Sequence, residues 1–568
     1  MKMGVKSVIS TLLLALIVLP VLSPLAVAEA PQKGGTLVVA LVAEPRVIDP
    51  TTGAWNAGFV AAQIFNSLLE LDENLNIVPS LAESWEIDEK EGAFIFKLRE
   101  GVKWHDGHPF TAEDVKFSFE NIISKYDVFG ALYFKDTKVE IIDERTVKIK
   151  PGDFLPGVQL YLMATLDTAI LPKHILEGQD FLKSEFRTKP IGTGPFKFVE
   201  WLKGSHITLV RNENYWKEGK PYLDKIVIRF ISDPATLIAE LEAGNVNYVF
   251  RGVPYEAYDR LKGNPNLDVI LSERPPYKVV LEFNTKHPIL SDVRVRKAIA
   301  YAIDKEEIAR KATNGLALPT HSFWAPEDVP PSPNIVRYEY NPEMAEKLLD
   351  EAGYPRGRDG KRFTLELLTR VGEPEEAIVA ELIRDYLSRV GIEVNIKAVD
   401  FATMLDLQSN YKYDFTLVKR WVAPIWGYQL FHSEWIRPGQ PFTNIMQYSN
   451  PEVDQLFDLW FKEIDPEKQK RYLQRIDEIL TDELPEIPLY TVVFLNVKSA
   501  NVKGPDIPVG KYVFWDPLEN TYIETAAPTA PTVTPAEEVK GPSTALIAGI
   551  VVAAVALAAV AALLLRKR

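Results

Sequence analysis

The segment FKLREGVKWHDGHPFTAEDV, residues 96–115, places a strand, a tight turn and a helix one after another. Residues 94–98 are rich in the aromatic and branched side chains that favour a strand. Asp106-Gly107 suits a tight turn, and Thr111 is placed to cap a helix whose first turn carries Asp114. These residue types serve structure, so the segment indicates the fold more than the ligand.

Helices and strands alternate in the second half of the chain. A helix over 341–353 is predicted by its N-cap Asn341 and its stop Gly353, and a second over 374–390 by its apolar stripe. Strand patterns before, between and after helices give a β-α-β-α-β order, which predicts parallel pairing. The strands are predicted at 363–368, 392–396 and 414–418, with a short helix near Phe401.

The first half follows the same α/β pattern. Residues 36–42 predict a buried strand, residues 59–71 a helix with one apolar face, and residues 139–149 further strands. Because no repeat of fixed period occurs, propellers and solenoids are excluded. The predicted fold class is therefore α/β.

The order of these motifs resembles solute-binding protein family 5, the oligopeptide, dipeptide and nickel receptors of ABC importers. The resemblance begins with LAESWE and the segment 96–115, and covers roughly residues 34–522. It continues through IGTGPF (191–196), RNENYW (211–216), FNT (283–285) and DVRVRKAI (292–299).

The resemblance implies a bilobal, periplasmic-binding-protein-like fold of type II, in its large form with an extra subdomain. On that template the first lobe covers 31–275, with the subdomain inserted at 73–185, and the chain returns to it at 491–524. The second lobe covers 276–490, and crossovers near 275–281 and 488–497 form the hinge. Such a receptor is expected to be monomeric and to deliver its solute to ABC permease subunits.

The two ends of the chain predict a membrane topology. Residues 1–30 have the layout of a secretory signal peptide cleaved after Ala28 or Ala30, with a retained anchor as the alternative. Residues 545–565 form an unbroken apolar run of 21 residues, long enough to span a bilayer, and Arg566-Lys567-Arg568 follows it. A buried core helix is the alternative there. The body is therefore expected on the extracellular face, above a Thr/Pro-rich stalk at 525–544.

Composition narrows the class of protein further. The chain contains no cysteine, which excludes disulfides, thiolate metal sites and a lipid-modified N-terminal cysteine. Its net charge of −14 is spread without a basic block in the body, so nucleic-acid binding is not expected. A signal peptide, a cysteine-free body and a C-terminal anchor together resemble the layout of archaeal receptors.

One position departs from the peptide-binding members that this chain resembles. In those members a tryptophan after a Tyr-Asp-Phe strand is followed three residues later by an aspartate that pairs with the peptide's amino terminus. Here the strand begins at Tyr413, the tryptophan is Trp421, and the third position is Pro424. Because a buried ammonium needs a fixed anion, free-peptide binding by that geometry is in question unless another acid, such as Glu434, replaces it.

Aromatic residues cluster after the same strand and are the principal candidates for ligand contact. Aromatic faces pack against sugar rings as well as against peptide side chains, so a β-linked oligosaccharide is the alternative to an oligopeptide. Burial in the core is the competing interpretation of each residue. The predicted contacts are Trp421, Trp426, Tyr428 and Trp435, with Phe431 in the same cluster.

Four further residues occupy positions that line the cleft in relatives: Trp55, Tyr126, Arg251 and Tyr490. His105 and His108 form H-x-x-H, but this turn is a general feature of the family, so no metal and no cofactor are predicted.

No catalytic motif is present, since the sequence lacks Gly-x-Ser-x-Gly, His-Glu-x-x-His and a phosphate-binding loop. The chain is therefore predicted not to be an enzyme. An anchored hydrolase and a structural surface protein are the competing classes.

Overall fold

The computed structural model describes residues 31–52, 55–72, 76–249, 251–272, 277–326, 329–504 and 518–524. The predicted signal peptide, stalk and C-terminal apolar run lie outside these residues. Within them, no helix combines the length and apolar character needed to cross a membrane.

The second lobe is built on a five-stranded sheet. The strand Phe363–Arg370 pairs in parallel with both Ile392–Val399 and Phe415–Trp421, which confirms the predicted β-α-β-α-β unit. The strand Tyr277–Phe283 then adds antiparallel to Phe415–Trp421, and Glu486–Val492 forms the far edge. The predicted helices also form, as Pro342–Glu351, Pro374–Arg389 and Phe401–Ser409.

The first lobe is built on a seven-stranded mixed sheet. Its central strand Thr36–Leu41 is parallel to Lys225–Phe230 on one side and to Tyr248–Val249 on the other. The remaining pairs are antiparallel. From edge to edge the strands are Leu267–Leu271, Leu495–Ser499, Tyr248–Val249, Thr36–Leu41, Lys225–Phe230, His206–Arg211 and Phe196–Leu202.

A separate four-stranded antiparallel sheet forms the core of the subdomain. Its strands, in spatial order, are Ala82–Asp88, Ala93–Leu98, Thr146–Lys150 and Lys138–Asp143. Short strand pairs also join Leu69–Leu71 to Ile77–Pro79 and Val502–Lys503 to Tyr522–Ile523. With both lobes alternating helix and sheet, the α/β class is confirmed.

The other helices are distributed over the two lobes and the subdomain. Those of the first lobe and subdomain are Trp55–Ala61, Ala112–Phe117, Ser124–Tyr126, Gly130–Tyr133, Pro156–Leu162, Lys173–Leu176, Pro234–Glu242 and Tyr258–Lys262, with a π-helical turn at Ser118–Ile123. Those of the second lobe are Val293–Ala302, Lys305–Ala312, Pro424–Phe431, Pro451–Lys462 and Pro466–Glu483.

The chain passes between the two large sheets twice. It leaves the first-lobe sheet after Leu267–Leu271 and enters the second-lobe sheet at Tyr277–Phe283. It returns from Glu486–Val492 to Leu495–Ser499 across only two residues, Val493 and Phe494. Two short neighbouring connections of this kind allow hinge motion between lobes.

The segment 96–115 ties the subdomain to the first lobe. His105 accepts a hydrogen bond at Nδ1 from the Gly192 amide (3.2 Å), and its Nε2 donates to the Gly194 carbonyl (3.0 Å). Burial lowers the pKa of His105 to about 4, so the ring is neutral at physiological pH. The Asp114 carboxylate, in the first turn of the helix, accepts a hydrogen bond from the amide of Thr111 (2.9 Å), the residue predicted to cap this helix. The segment has the structural role inferred for it.

The predicted helix over 59–71 is wrong from residue 62 onward. The helix is Trp55–Ala61, and residues 69–71 form a strand. The reason is tertiary hydrogen bonding, because the Gly194 amide donates to the Ile64 carbonyl (2.8 Å) and the Phe196 amide to the Gln63 carbonyl (2.9 Å). These carbonyls are thereby taken from any continuing helix.

The second lobe packs directly against the subdomain. The rings of Tyr133 and Phe461 lie 5.5 Å apart in an edge-to-face arrangement, and one apolar cluster runs from the subdomain into the second lobe. A Cβ added to Gly157 would lie 2.4 Å from the Glu463 carbonyl oxygen, which shows how closely the two backbones approach. This interface borders the candidate site.

Candidate functional site

A cavity of about 570 Å³ lies between the subdomain and the second lobe. We call it the cleft. One wall comes from residues 128–132 and 161–167, and the other from residues 419–435 and 440–443. Its volume falls within the range of about 300–1,000 Å³ that is typical of small-molecule pockets.

Trp421 and Trp426 form the aromatic centre of the cleft. Trp421 ends the strand Phe415–Trp421, where its ring lies 4.4 Å from that of its cross-strand partner Tyr277. Trp426 stacks almost parallel to Trp421, with centroids 5.8 Å apart and an interplanar angle of 9°. Across the cleft, Phe129 of the subdomain meets Trp426 edge to face at 4.8 Å. This last pair joins the two walls.

Trp435 also lines the cleft, whereas Tyr428 supports it from behind. Trp435 is 8% exposed, and its indole N–H has no hydrogen-bond acceptor among the described residues. Tyr428 packs edge to face on Trp435 (6.1 Å) and on Phe461 (4.4 Å), and its hydroxyl donates to Glu434. A tyrosine held this way positions the cleft wall.

Three of the other predicted residues lie away from this cleft. Tyr126 is 37% exposed and packs on Phe181, and Tyr490 is 1% exposed inside the second-lobe core. The Arg251 guanidinium lies 4.2 Å from the ring of Phe494 in the return crossover, where burial lowers its pKa. Trp55 begins a helix, but its side chain is outside the described structure. Their roles in binding stay predictions.

The proline at position 424 has a structural explanation. It occupies the first turn of the helix Pro424–Phe431, a position that suits proline because the missing amide would be unpaired there. Its side chain is buried. Glu434, the acid suggested as a replacement for the absent aspartate, accepts a hydrogen bond from the Tyr428 hydroxyl instead of lining the cleft.

The two basic residues of the cleft are already neutralised. Lys419 lies 3.4 Å from Glu373 and 3.2 Å from Glu375. Arg420 forms a bidentate pair with the fully buried Glu282, one contact of which is 2.7 Å. Both cations therefore have partners within their own lobe.

The sequence interpretation missed the subdomain wall. Phe129, Thr165 and Asp167 line the cleft opposite the tryptophans. One signal was present, because Asp167 is the only charged residue in the apolar stretch LMATLDTAIL, residues 162–171. An isolated acid in such a stretch is uncommon unless it is paired or functional.

A second polar cluster lies on the subdomain surface, away from the cleft. Asp106, His108 and His174 bring potential metal-ligand atoms within 4.8 Å of one another. The Asp106 carboxylate contacts His174 Nε2 at 2.7 Å, and the two imidazoles stack at 4.2 Å. His105, by contrast, uses both ring nitrogens in hydrogen bonds to the backbone of Gly192 and Gly194. The expectation of no metal stays a prediction.

A family model and a known protein that are similar to this chain both describe solute-binding proteins. The family model "Bacterial extracellular solute-binding proteins, family 5 Middle" matches residues 76–435. The chain is 33% identical over 487 residues to the oligopeptide-binding protein AppA of Bacillus subtilis, covering 80% of this chain and 86% of that protein.

Solved structures are similar over the same extent. The structure of AppA from Bacillus subtilis in complex with a nonapeptide matches with a TM-score of 0.71 at 29% identity, covering 87% of this chain and all of that one. NikZ from Campylobacter jejuni, in complex with Ni(L-His), matches with a TM-score of 0.69 at 27% identity, covering 83% and 95%. Proteins of this fold therefore bind ligands of quite different chemistry.

Proposed function

Because the chain belongs to the family 5 extracellular solute-binding proteins, we propose that it captures an oligopeptide between its lobes for an ABC importer. The observation that carries this proposal is the aromatic cleft between the subdomain and the second lobe. Its similarity to an oligopeptide-binding protein over most of both chains favours a peptide. Membership of a family of binding proteins is consistent with the absence of enzymatic activity.

The geometry supports capture by closure. Phe129 on one wall and Trp426 on the other meet at 4.8 Å, so a solute between the walls contacts both lobes at once. A ligand that bridges two lobes binds the closed form better than the open form and shifts the population toward it. The closed form then presents a surface that the permease distinguishes from the open one.

A β-linked oligosaccharide is the second candidate. It is favoured by Pro424 in place of an acid and by the tryptophans that line the cleft. The stacked pair is too close for a sugar ring to insert between Trp421 and Trp426, since 5.8 Å separates their centroids. A sugar would therefore pack on an outer face of the pair.

The proposed location is the extracellular face of a cell membrane. It is supported by the signal-like residues 1–30 and by the 21-residue apolar run at 545–565 with its basic tail. The proposed layout is that of a membrane-anchored archaeal receptor. Deleting 545–568 is expected to release the protein from membranes, and retention of the shortened protein in the membrane fraction would contradict the proposal.

A ligand screen tests the proposed function. The full chain in detergent micelles is screened by thermal shift against pentapeptides and against β-linked oligosaccharides, and hits are titrated by calorimetry. Peptide hits with one site per chain support the first proposal. Hits only among sugars support the second, and product formation in either incubation would contradict a pure binding role.

A further inference from the structure

Asp167 is the one charged residue lining the cleft that lacks an oppositely charged partner in the described structure. The other two, Lys419 and Arg420, are paired with glutamates of the second lobe. The Asp167 carboxylate accepts a hydrogen bond from the Thr165 hydroxyl at 2.8 Å, but no described cation lies within ion-pair distance. Asp167 is partly buried, and a carboxylate that loses part of its hydration and has no cation beside it is destabilised.

A second carboxylate, behind the cleft wall, also has no cation within ion-pair distance in the described structure. Asp127 is 1% exposed, and its Oδ1 accepts hydrogen bonds from the amides of Phe129 (3.0 Å) and Gly130 (2.7 Å). Its Oδ2 has no hydrogen-bond donor among the described residues. Asp49 also contributes negative charge here, although it is paired with Arg187 at 2.8 Å.

The two unpaired carboxylates influence one another. Burial and the neighbouring Asp167 raise the pKa of Asp127 well above its usual range, and burial raises the pKa of Asp167 to about 6. The raised pKa values mean that these carboxyl groups bind protons more readily than usual, because no cation of the described structure stabilises their ionised forms. A cation placed in the cleft would stabilise them.

The opposite wall supplies an unused donor. The indole N–H of Trp435, in a side chain that is nine-tenths buried, has no acceptor in the described structure. An uncompensated acid that lines the cavity and an unsatisfied donor within the opposite wall match a ligand that has both a positive group and a hydrogen-bond acceptor. A peptide amino terminus followed by its first carbonyl has both.

We propose that Asp167 binds the positively charged amino group of the ligand, from the wall opposite the one on which the resemblance places that anion. The proposal rests on the proposed function and deepens it, because it selects ligands with a free primary ammonium. It also accounts for Pro424: with the anion on the subdomain, position 424 is free to begin a helix.

The test compares free and blocked amino groups. The pentapeptide with the largest shift in the screen is titrated into the full chain in its free and N-acetylated forms, with spermidine as a source of ammonium without a peptide. The variants are Asp167→Asn and, as a matched control at an exposed acid of the subdomain outside the cleft, Asp136→Asn.

We expect acetylation to weaken binding to the wild type about 10- to 100-fold, the range for a hydrogen bond between charged groups. Asp167→Asn should bind both forms equally and weakly, while Asp136→Asn keeps the preference for the free amino group. Spermidine is expected to bind far more weakly than the peptide.

Other results overturn the proposal. A preference for the free amino group that survives Asp167→Asn would assign the ammonium elsewhere, and loss of that preference in Asp136→Asn would show that the effect is not specific to Asp167. Tight spermidine binding would identify a polyamine, not a peptide, as the ligand. Misfolding is checked by melting: ligand-free Asp167→Asn should melt no lower than the wild type, because it loses an uncompensated carboxylate. Failure of every peptide to bind would reject the proposed function itself, whereas peptide binding that is indifferent to acetylation rejects only the role of Asp167.

Discussion

Replacing Trp426 by alanine should weaken ligand binding by a calculable amount. Among the described residues, the Trp426 ring contacts Phe129 across the cleft at 4.8 Å and Trp421 within its own lobe at 5.8 Å. An aromatic pair contributes about 0.5–1.5 kcal/mol beyond its buried area. Of these two pairs, only Phe129–Trp426 joins the subdomain wall to the second-lobe wall.

Loss of that pair alone should raise Kd by about 2- to 12-fold, since each 1.4 kcal/mol corresponds to a factor of ten. Lost contacts between Trp426 and the ligand add to this factor. Calorimetric titration of the peptide or sugar identified by the screen measures it. Phe129→Ala should show a similar loss, and a double-mutant cycle should return a coupling of about 0.5–1.5 kcal/mol.

Trp201→Ala is the matched control. Trp201 is also half-buried, but it lies in the edge strand of the first-lobe sheet, where its indole donates to Glu44 at 2.8 Å. Its removal should leave Kd unchanged. If Trp421→Ala and Trp426→Ala both bind the ligand as tightly as the wild type, the ligand does not occupy the cleft described above.

Three further predictions concern stability. Burial lowers the pKa of Lys305 from 10.5 to about 7. Between pH 7 and pH 10.5 the unfolded chain therefore binds more protons than the folded one, and the stability of the protein rises with pH. Lys305→Met should raise the melting temperature at pH 7 and raise it less at pH 9, whereas an equal gain at both pH values would contradict the pKa shift. Arg420→Met leaves the Glu282 carboxylate buried and unpaired, and should lower the free energy of unfolding by about 3–5 kcal/mol in thermal or chemical denaturation. Adding Glu282→Leu should restore most of this stability. If it restores none, the loss comes from packing and not from the unpaired charge. Gly192→Ala should destabilise the protein by about 1–3 kcal/mol, because the added Cβ would lie 1.9 Å from the Ile64 carbonyl oxygen. Gly263→Ala, whose added Cβ has its nearest neighbour at 3.4 Å, should melt like the wild type. Equal melting temperatures for the two variants would refute the steric argument.

The sequence was sufficient to predict those helices and strands whose apolar residues recur with the period of the element that forms. The strand at Phe363–Arg370, the helix at Pro374–Arg389 and the strand at Ile392–Val399 each carry a complete pattern with a clear stop, and all three form. Residues 59–71 carry a helical pattern too, yet the chain departs from it because Gln63 and Ile64 bond to a loop more than a hundred residues away. Such a long-range pairing leaves no local trace in the sequence.

The part of the site that is close together in sequence was predicted, and the part contributed by a distant segment was not. Trp421, Trp426 and Trp435 are close in sequence and face one cavity, so their clustering was visible. Tyr428 belongs to the same cluster, but its place on the helix turns it toward Phe457 and Phe461. Asp167 lies more than 250 positions before these tryptophans, and only the packing of the subdomain on the second lobe brings it opposite them.

The most direct test of the account is a crystal structure of the chain grown with the tightest-binding peptide from the screen. We predict that the peptide lies between the walls at 128–132 and 161–167 and at 419–443, touching Trp426, with its terminal nitrogen within hydrogen-bonding distance of Asp167. A peptide bound outside this cleft would contradict the account. A peptide inside it with its amino terminus on the second lobe would leave the receptor function standing and remove the role assigned to Asp167.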